Sequence, residues 1–152
     1  MTSLIVQKYG GSSLADAERI KAVARRIARS KDEGNQVVVV VSAMGDTTDD
    51  LIRQANAVTE KPDERELALL LSTGEIVSST LVAMALRSLG YKAISLSGGQ
   101  AGILTDMDNS RARIVEVDPQ RILKELREDT IVIVAGFQGI TEEMDITTLG
   151  RG

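Results

Sequence analysis

The chain has 152 residues, a net charge of −4, 43% hydrophobic and 26% charged positions, enough for one domain with a sizeable core. Its acidic balance and 2% aromatic content exclude a basic nucleic-acid or anionic-membrane surface and make base-stacking platforms unexpected. It contains neither cysteine nor histidine, which rules out disulfides, thiolate or imidazole metal sites and any Cys or His nucleophile or base.

Residues 3–9 read as a strand that runs into Lys8, Tyr9, Gly10, Gly11, Ser12 and Ser13. Behind it, Leu14, Ala17, Ile20, Val23, Ala24 and Ile27 recur at helical spacing, so a helix is expected over 14–33, capped by Ser13 and stopped by Gly34. Residues 36–42 hold five consecutive valines, a β-branched run suited to a strand covered on both faces. Strand, helix and strand in this order form a right-handed βαβ unit.

A small-residue loop, Ser42-Ala43-Met44-Gly45-Asp46-Thr47-Thr48, then leads to a helix over 49–58 capped by Thr47 or Thr48. Lys61-Pro62-Asp63 breaks it. Residues 64–89 are rich in helix formers, with an expected interruption at Ser72-Thr73-Gly74 and a buried helix after it. Further strands are expected at 91–96, 114–117 and 130–135, with a helix from Pro119 to about position 128. Residues 97–113 read as loop or hairpin, and 145–152 as a polar tail. The alternation argues one domain of class α/β: a three-layer α/β/α sandwich with a mainly parallel sheet.

The longest apolar runs, such as 37–41, are too short to cross a bilayer, and the first residues carry no signal-peptide pattern. With no cysteine, a cytoplasmic home is the expectation.

Several groups could carry chemistry. A glycine pair between a strand and a helix lets backbone N–H groups approach an anion, and Lys8 adds a mobile positive charge beside it. The G-x-x-x-x-G-K-[ST] and G-x-G-x-x-G patterns are both absent, and here lysine precedes the glycines. Glu75, after three small residues, either faces a helix dipole in a first turn or awaits a cationic group such as an ammonium. Lys8, Thr48 and Glu75 belong to the carboxyl edge of the strands, where open α/β sheets bind ligands. Arg151, between Gly150 and Gly152, suits a bidentate carboxylate or phosphate contact. The acidic residues Asp106, Asp108 and Asp145 form no metal-loop spacing, so a dedicated metal cage is not expected.

Taken in order, 8–13, 42–48, Gly74-Glu75 with Ser78, Gly136-Phe137 and 147–152 resemble the aspartate kinases of the amino-acid kinase superfamily. The resemblance implies ATP-dependent phosphorylation of the β-carboxylate of L-aspartate, the first step toward lysine, threonine and methionine. It implies that Lys8 lies between the γ-phosphate and the attacking carboxylate, and that Lys8, Tyr9, Gly10 and Gly11 form the ATP phosphate site. Ser42, Thr48, Glu75, Arg151 and Gly152 would hold aspartate, Glu75 through the α-ammonium and Arg151 through the α-carboxylate. Mg²⁺ would be carried by ATP, with no metal site on the protein.

In that family Gly-Arg-Gly is followed by Gly-Ser-Asp, a second α/β half that binds most of the ATP, and regulatory ACT domains. The resemblance therefore implies that residues 1–152 are the N-terminal, amino-acid-substrate part of a kinase domain, with little activity alone and homo- or hetero-oligomers in the intact enzyme. An exposed apolar sheet edge and self-association are expected too. A kinase for glutamate or uridylate fits 42–48 and 147–152 less well. The alternative of a different class is a catalytically silent α/β module that binds an anion or an amino acid.

Overall fold

The computed structural model describes residues 2–150. Four strands, β1 (Leu4–Tyr9), β2 (Gln36–Val41), β3 (Ala93–Leu96) and β6 (Ile131–Ala135), form an all-parallel sheet in the order β1-β2-β6-β3. Its register sets Lys8 beside Val40, and Val40 beside Val134. The helices α1 (Ala17–Asp32) and α3 (Glu64–Ser88) cover one face, burying Ile20, Val23, Ile27, Val82 and Leu86 against Val37, Val39, Ile131 and Ile133. The other face packs Val38, Val132 and Val134 against Leu126 and Ile122 of α4 (Gln120–Arg127). Because alternate valines of β2 enter both clusters, the unalternating run is explained by burial on both sides. The expected α/β/α layering is present.

Several boundaries differ from expectation. Gly11–Leu14 forms a short 3-10 helix, and α1 starts later, with Asp16 as its cap; the Asp16 carboxylate accepts from the Arg19 N–H at 2.9 Å. Ser13 is not the cap, because its own N–H is tied to the Gly10 carbonyl in the tighter turn. The helix α2 (Thr47–Val58) includes Thr47 and Thr48, and the Thr47 hydroxyl donates back to the Met44 carbonyl at 2.6 Å. Thr48 sits in the first turn.

The largest correction concerns α3. It runs unbroken for 25 residues, capped by Asp63, so Ser72, Thr73 and Gly74 are mid-helix and Glu75 is far from any N-terminus. The hydroxyls of Ser72 and Thr73 return to the carbonyls of Leu69 and Leu70, which keeps the polar run helical. Among the described residues, this is the one helix long and apolar enough to cross a membrane. Its contacts with β3, α1, α2, β6 and β8 (Ile146–Thr148) instead make it the central helix of the core.

A second sheet was not anticipated. The strands β4 (Ile103–Thr105), β5 (Ile114–Val117), β7 (Gln138–Ile140) and β8 order as β5-β4-β7-β8. The 97–113 segment thus holds a strand paired antiparallel with β5, and the supposed polar tail supplies β8, which pairs antiparallel with β7. Thr105 and Thr147 are buried there with their hydroxyls 2.8 Å apart. Gly102, at φ +89, makes the turn into β4, where a Cβ would lie 1.8 Å from the Asp118 carbonyl oxygen. The expected exposed apolar edge is present at β1, whose Leu4 and Val6 are 53% and 63% exposed.

Candidate functional site

The strands β1, β2 and β6 all point their carboxyl ends at one cleft of about 680 Å³. It is lined by Lys8 near the end of β1 and Gly11 after it, by Ser42, Ala43, Gly45, Asp46, Thr48 and Asp49 after β2, by Glu75, and by Gly136, Phe137, Leu149 and Gly150. Lys8, Gly11, Ser42, Thr48 and Glu75, five of the expected site residues, therefore meet in one place. Residues 151 and 152 lie outside the described residues, so the expected roles of Arg151 and Gly152 have no geometry here.

Close backbone approach holds the walls together. The Gly45 N–H donates to the Gly11 carbonyl at 2.9 Å, and the Ser42 N–H to the Tyr9 carbonyl at 3.1 Å. A Cβ on Gly11 would lie 2.8 Å from the Ala43 carbonyl oxygen and 3.0 Å from that of Gly45. Gly11 is thus required sterically as well as offering, with Ser12, the first N–H groups of a helix, which no helix carbonyl can take. Gly10 has open space where its side chain would be.

On the opposite wall, α3 passes so near the β2 loop that a Cβ on Gly74 would lie 2.8 Å from the Ala43 methyl. Ser78, one turn on, donates its hydroxyl to the Ser42 carbonyl at 2.6 Å. Gly74 and Ser78 flank Glu75 and dock that stretch of α3 against residues 42–43. The Glu75 side chain is 2% exposed and lines the cleft. A carboxylate at such depth is costly to ionise unless paired or hydrogen-bonded.

Lys8 is exposed at the cleft and, among the described residues, has no ion-pair partner. Opposite it the cleft carries three carboxylates, of Asp46, Asp49 and Glu75. Among the described lining residues, Lys8 can hold an anion and the carboxylates a cation, the charge pattern of a zwitterion.

Tyr9 departs from expectation. Its ring is buried on the α1 side, its hydroxyl donates to the Gln7 side-chain oxygen at 2.9 Å, and burial pushes the phenol above its usual range, with Arg26 opposing. It lines a second recess with Gln7, Ser13, Arg26, Arg29 and Ser30, which shares Lys8 with the cleft, and does not line the cleft itself. Alternation along β1 sends Lys8 and Tyr9 to opposite faces.

Sequence reasoning did not single out Asp46, Asp49 or Phe137 as lining residues. Phe137 takes φ +66, unusual for a bulky side chain, and follows the Gly136 turn at the end of β6. The Leu149 N–H bonds the Phe137 carbonyl and the Thr148 N–H the Asn109 carbonyl, which carries Leu149 and Gly150 to the cleft mouth. The readable signal for the two aspartates was their place, one turn apart, in the loop and first helical turn after a buried strand.

Residues 3–152 match the amino acid kinase family, and the chain belongs to it. Within that family the chain is similar to several aspartokinases. The aspartokinase of Corynebacterium glutamicum is 57% identical over 151 residues, 99% of this chain and 36% of that protein. The crystal structure of aspartate kinase from Synechocystis matches with a TM-score of 0.78 and 48% identity, over 97% of this chain and 24% of that one. Escherichia coli aspartokinase III in complex with aspartate and ADP shares the fold, at a TM-score of 0.81 and 23% identity over 97% of this chain and 43% of that one. The chain spans about a third of the length of the curated relatives it matches, 36% for the first of them.

Proposed function

We propose that this chain forms the aspartate-binding side of an aspartokinase, which transfers the γ-phosphoryl group of ATP to the β-carboxylate of L-aspartate. The observation that carries the reading is the meeting of Lys8, Thr48 and Glu75 in one cleft at the carboxyl ends of the parallel strands. The 57% identity to an aspartokinase and the aspartate and ADP bound by the E. coli enzyme support it. The product is 4-phospho-L-aspartate, the entry to lysine, threonine and methionine biosynthesis, and the setting is cytoplasmic.

In this reading a β-carboxylate oxygen attacks the γ-phosphorus while the bond to the β,γ-bridging oxygen breaks and ADP leaves. A carboxylate is already ionised at neutral pH, so the step needs no general base, in keeping with a chain without histidine. The obstacle is repulsion of two anions, on the order of 4 kcal/mol at 4 Å and an effective dielectric near 20. Lys8 lowers it by standing between them, and the N–H groups of Gly11 and Ser12, with Gly10 leaving room, receive phosphate oxygens. Glu75 takes the α-ammonium, Thr48 and Ser42 add hydroxyl contacts, and Arg151 takes the α-carboxylate. Mg²⁺ arrives with the nucleotide and supplies further neutralisation. The residues that bind adenine belong to a second half of the kinase domain, outside this sequence, and ACT regulatory domains lie beyond it.

Calorimetry with L-aspartate tests the pocket: binding to this chain is expected, and loss of about tenfold or more in affinity in Glu75→Gln, the weight of one charge-assisted hydrogen bond. A protein extended through the second half is expected to release ADP only with aspartate present. If it binds ATP and shows no aspartate-dependent turnover, the chain is a silent anion- or amino-acid-binding module.

A further inference from the structure

Six side-chain hydroxyls lie along α3, and among the described residues five of them bond only to their own helix. Ser72, Thr73, Ser79, Thr80 and Ser88 return to carbonyls three or four residues back, at 2.6–3.1 Å. That is the ordinary habit of a hydroxyl in a helix interior. Ser78 is the exception. The same kind of acceptor, the Glu75 carbonyl, stands 3.2 Å away, yet the shorter bond, 2.6 Å, leaves the helix for the Ser42 carbonyl. A hydroxyl has one proton to donate, and the shorter contact shows where it goes. The side chain is fully buried.

The acceptor's place gives this bond its meaning. Ser42 is the first residue past β2 and lines the cleft, and its N–H donates to the carbonyl of Tyr9, the residue after Lys8. Ser78 therefore completes a line of hydrogen bonds from the strand of Lys8, through Ser42, to the turn of α3 that carries Glu75. Glu75 is mid-helix and 2% exposed, so close packing denies its carboxylate the freedom to swing out toward a ligand. Where that carboxylate stands is decided by where α3 stands. The contact of Gly74 with the Ala43 methyl stops α3 from coming closer to the β2 loop, but a contact of that kind resists separation only weakly. The Ser78 bond is what holds the two together.

From this we propose that Ser78 is a positioning residue for recognition of the substrate's amino group. By fixing α3 to the Ser42 carbonyl it sets the Glu75 carboxylate at the depth where it meets the ammonium. Ser78 does not itself line the cleft, so it acts through Glu75 without touching the ligand. The inference rests on the reading of Glu75 as the partner of the α-ammonium; the tether between α3 and the β2 loop does not.

Calorimetry of this chain with two probes, L-aspartate and succinate, is the test, because succinate is aspartate without its amino group. The parent is expected to prefer aspartate about tenfold or more, the weight of a hydrogen bond to a charged group. Ser78→Ala is expected to cut that preference at least about fivefold while succinate affinity stays within about twofold. Ser79→Ala removes an equally buried hydroxyl that serves only its own helix, and is expected to keep the preference. Ser78→Cys, close in size but a weak donor, is expected to fall between, and stands in if the alanine variant does not fold. In a Glu75→Gln background Ser78→Ala is expected to change the preference no further, since the two act as one unit. A preference kept without the Ser78 hydroxyl, an equal loss for both probes, or the same loss in Ser79→Ala overturns the proposal. A parent that binds neither probe refutes the aspartate reading and the recognition role with it, and amide exchange then decides the tether. The N–H groups of Ser42 and Gly45 are expected to exchange about tenfold faster in Ser78→Ala and not in Ser79→Ala. Unchanged rates overturn the tether as well.

Discussion

Gly74 sets two general rules against each other, and its replacement by alanine decides between them. In the interior of a helix, glycine to alanine gains about 1 kcal/mol from the unfolded chain's lost freedom and the better helix former. At this position the new Cβ would stand 2.8 Å from the Ala43 methyl carbon, against about 3.5–4.0 Å for a comfortable contact. The two walls must separate by roughly 1 Å. Neither yields easily, because α3 is tied to the Ser42 carbonyl by Ser78 and the β2 loop to Gly11 by the Gly45 N–H. Overpacking of this kind costs about 1–3 kcal/mol, so the net expected for Gly74→Ala is a loss of about 1 kcal/mol. Urea denaturation of the four members of a double-mutant cycle with Ala43→Gly measures it. The second substitution removes the opposing methyl, and a coupling of at least about 1 kcal/mol in favour of the double variant is expected. Gly74→Ala more stable than the parent, or stability changes that simply add, would refute the steric account.

Other outcomes follow from the same geometry. In a catalytically competent extended protein, Lys8→Ala is expected to lose kcat by about a thousandfold or more, while aspartate affinity moves by less than about fivefold. Steady-state kinetics beside calorimetry separates the two, and a near-normal kcat removes Lys8 from its place between the anions. Asp145, at the entrance to β8, accepts a hydrogen bond from Arg65 at 2.7 Å, and that bond holds its carboxyl below the usual carboxylate range. A group depressed in the folded state stabilises above its unfolded value and ceases to as the pH falls through its folded value. Stability is therefore expected to decline as the pH drops below about 4, with Arg65→Ala flattening part of that decline. Urea midpoints at a series of pH values check it, and an Arg65→Ala protein with an unchanged acid slope contradicts it. Arg65 is exposed and Asp145 only half-buried at the surface, so solvent screening keeps the effect small.

The parallel sheet was readable because its strands are buried on both faces and so written in unbroken apolar letters, as in β2 and β6. The cleft was readable in part for a related reason: Lys8, Ser42 and Thr48 end or follow such strands, and topology alone sends them to one edge. Glu75 does line the cleft, but it was expected in the first turn of a helix and lies in the middle of one. Ser72, Thr73 and Gly74 look like a break when only local preference is weighed. Their hydroxyls are satisfied by the preceding turn, and the glycine answers to Ala43, which is close in space and 31 positions away in the sequence. The second sheet was illegible because its strands β4, β7 and β8 are three residues long, and β4 and β8 bury threonines, of which Thr105 and Thr147 partner one another. A side-chain pair such as Thr105 with Thr147 leaves no periodic trace. The cap of α1 was missed by three positions, since a tight turn at Gly11–Leu14 uses up the earlier candidate.

Ala43 has a consequence of its own. Its carbonyl stands against Gly11 and its methyl against Gly74, so one peptide acts as a spacer between the wall that carries Lys8 and the wall that carries Glu75. The gap between the lysine and the carboxylate is thereby dimensioned by main chain, at positions where even one added carbon is felt. A variant of this scaffold that is to accept a longer acidic ligand cannot be obtained by widening the gap there. The room has to come from side chains that line the cleft, such as those of Thr48 and Phe137, and not from the main chain between the walls.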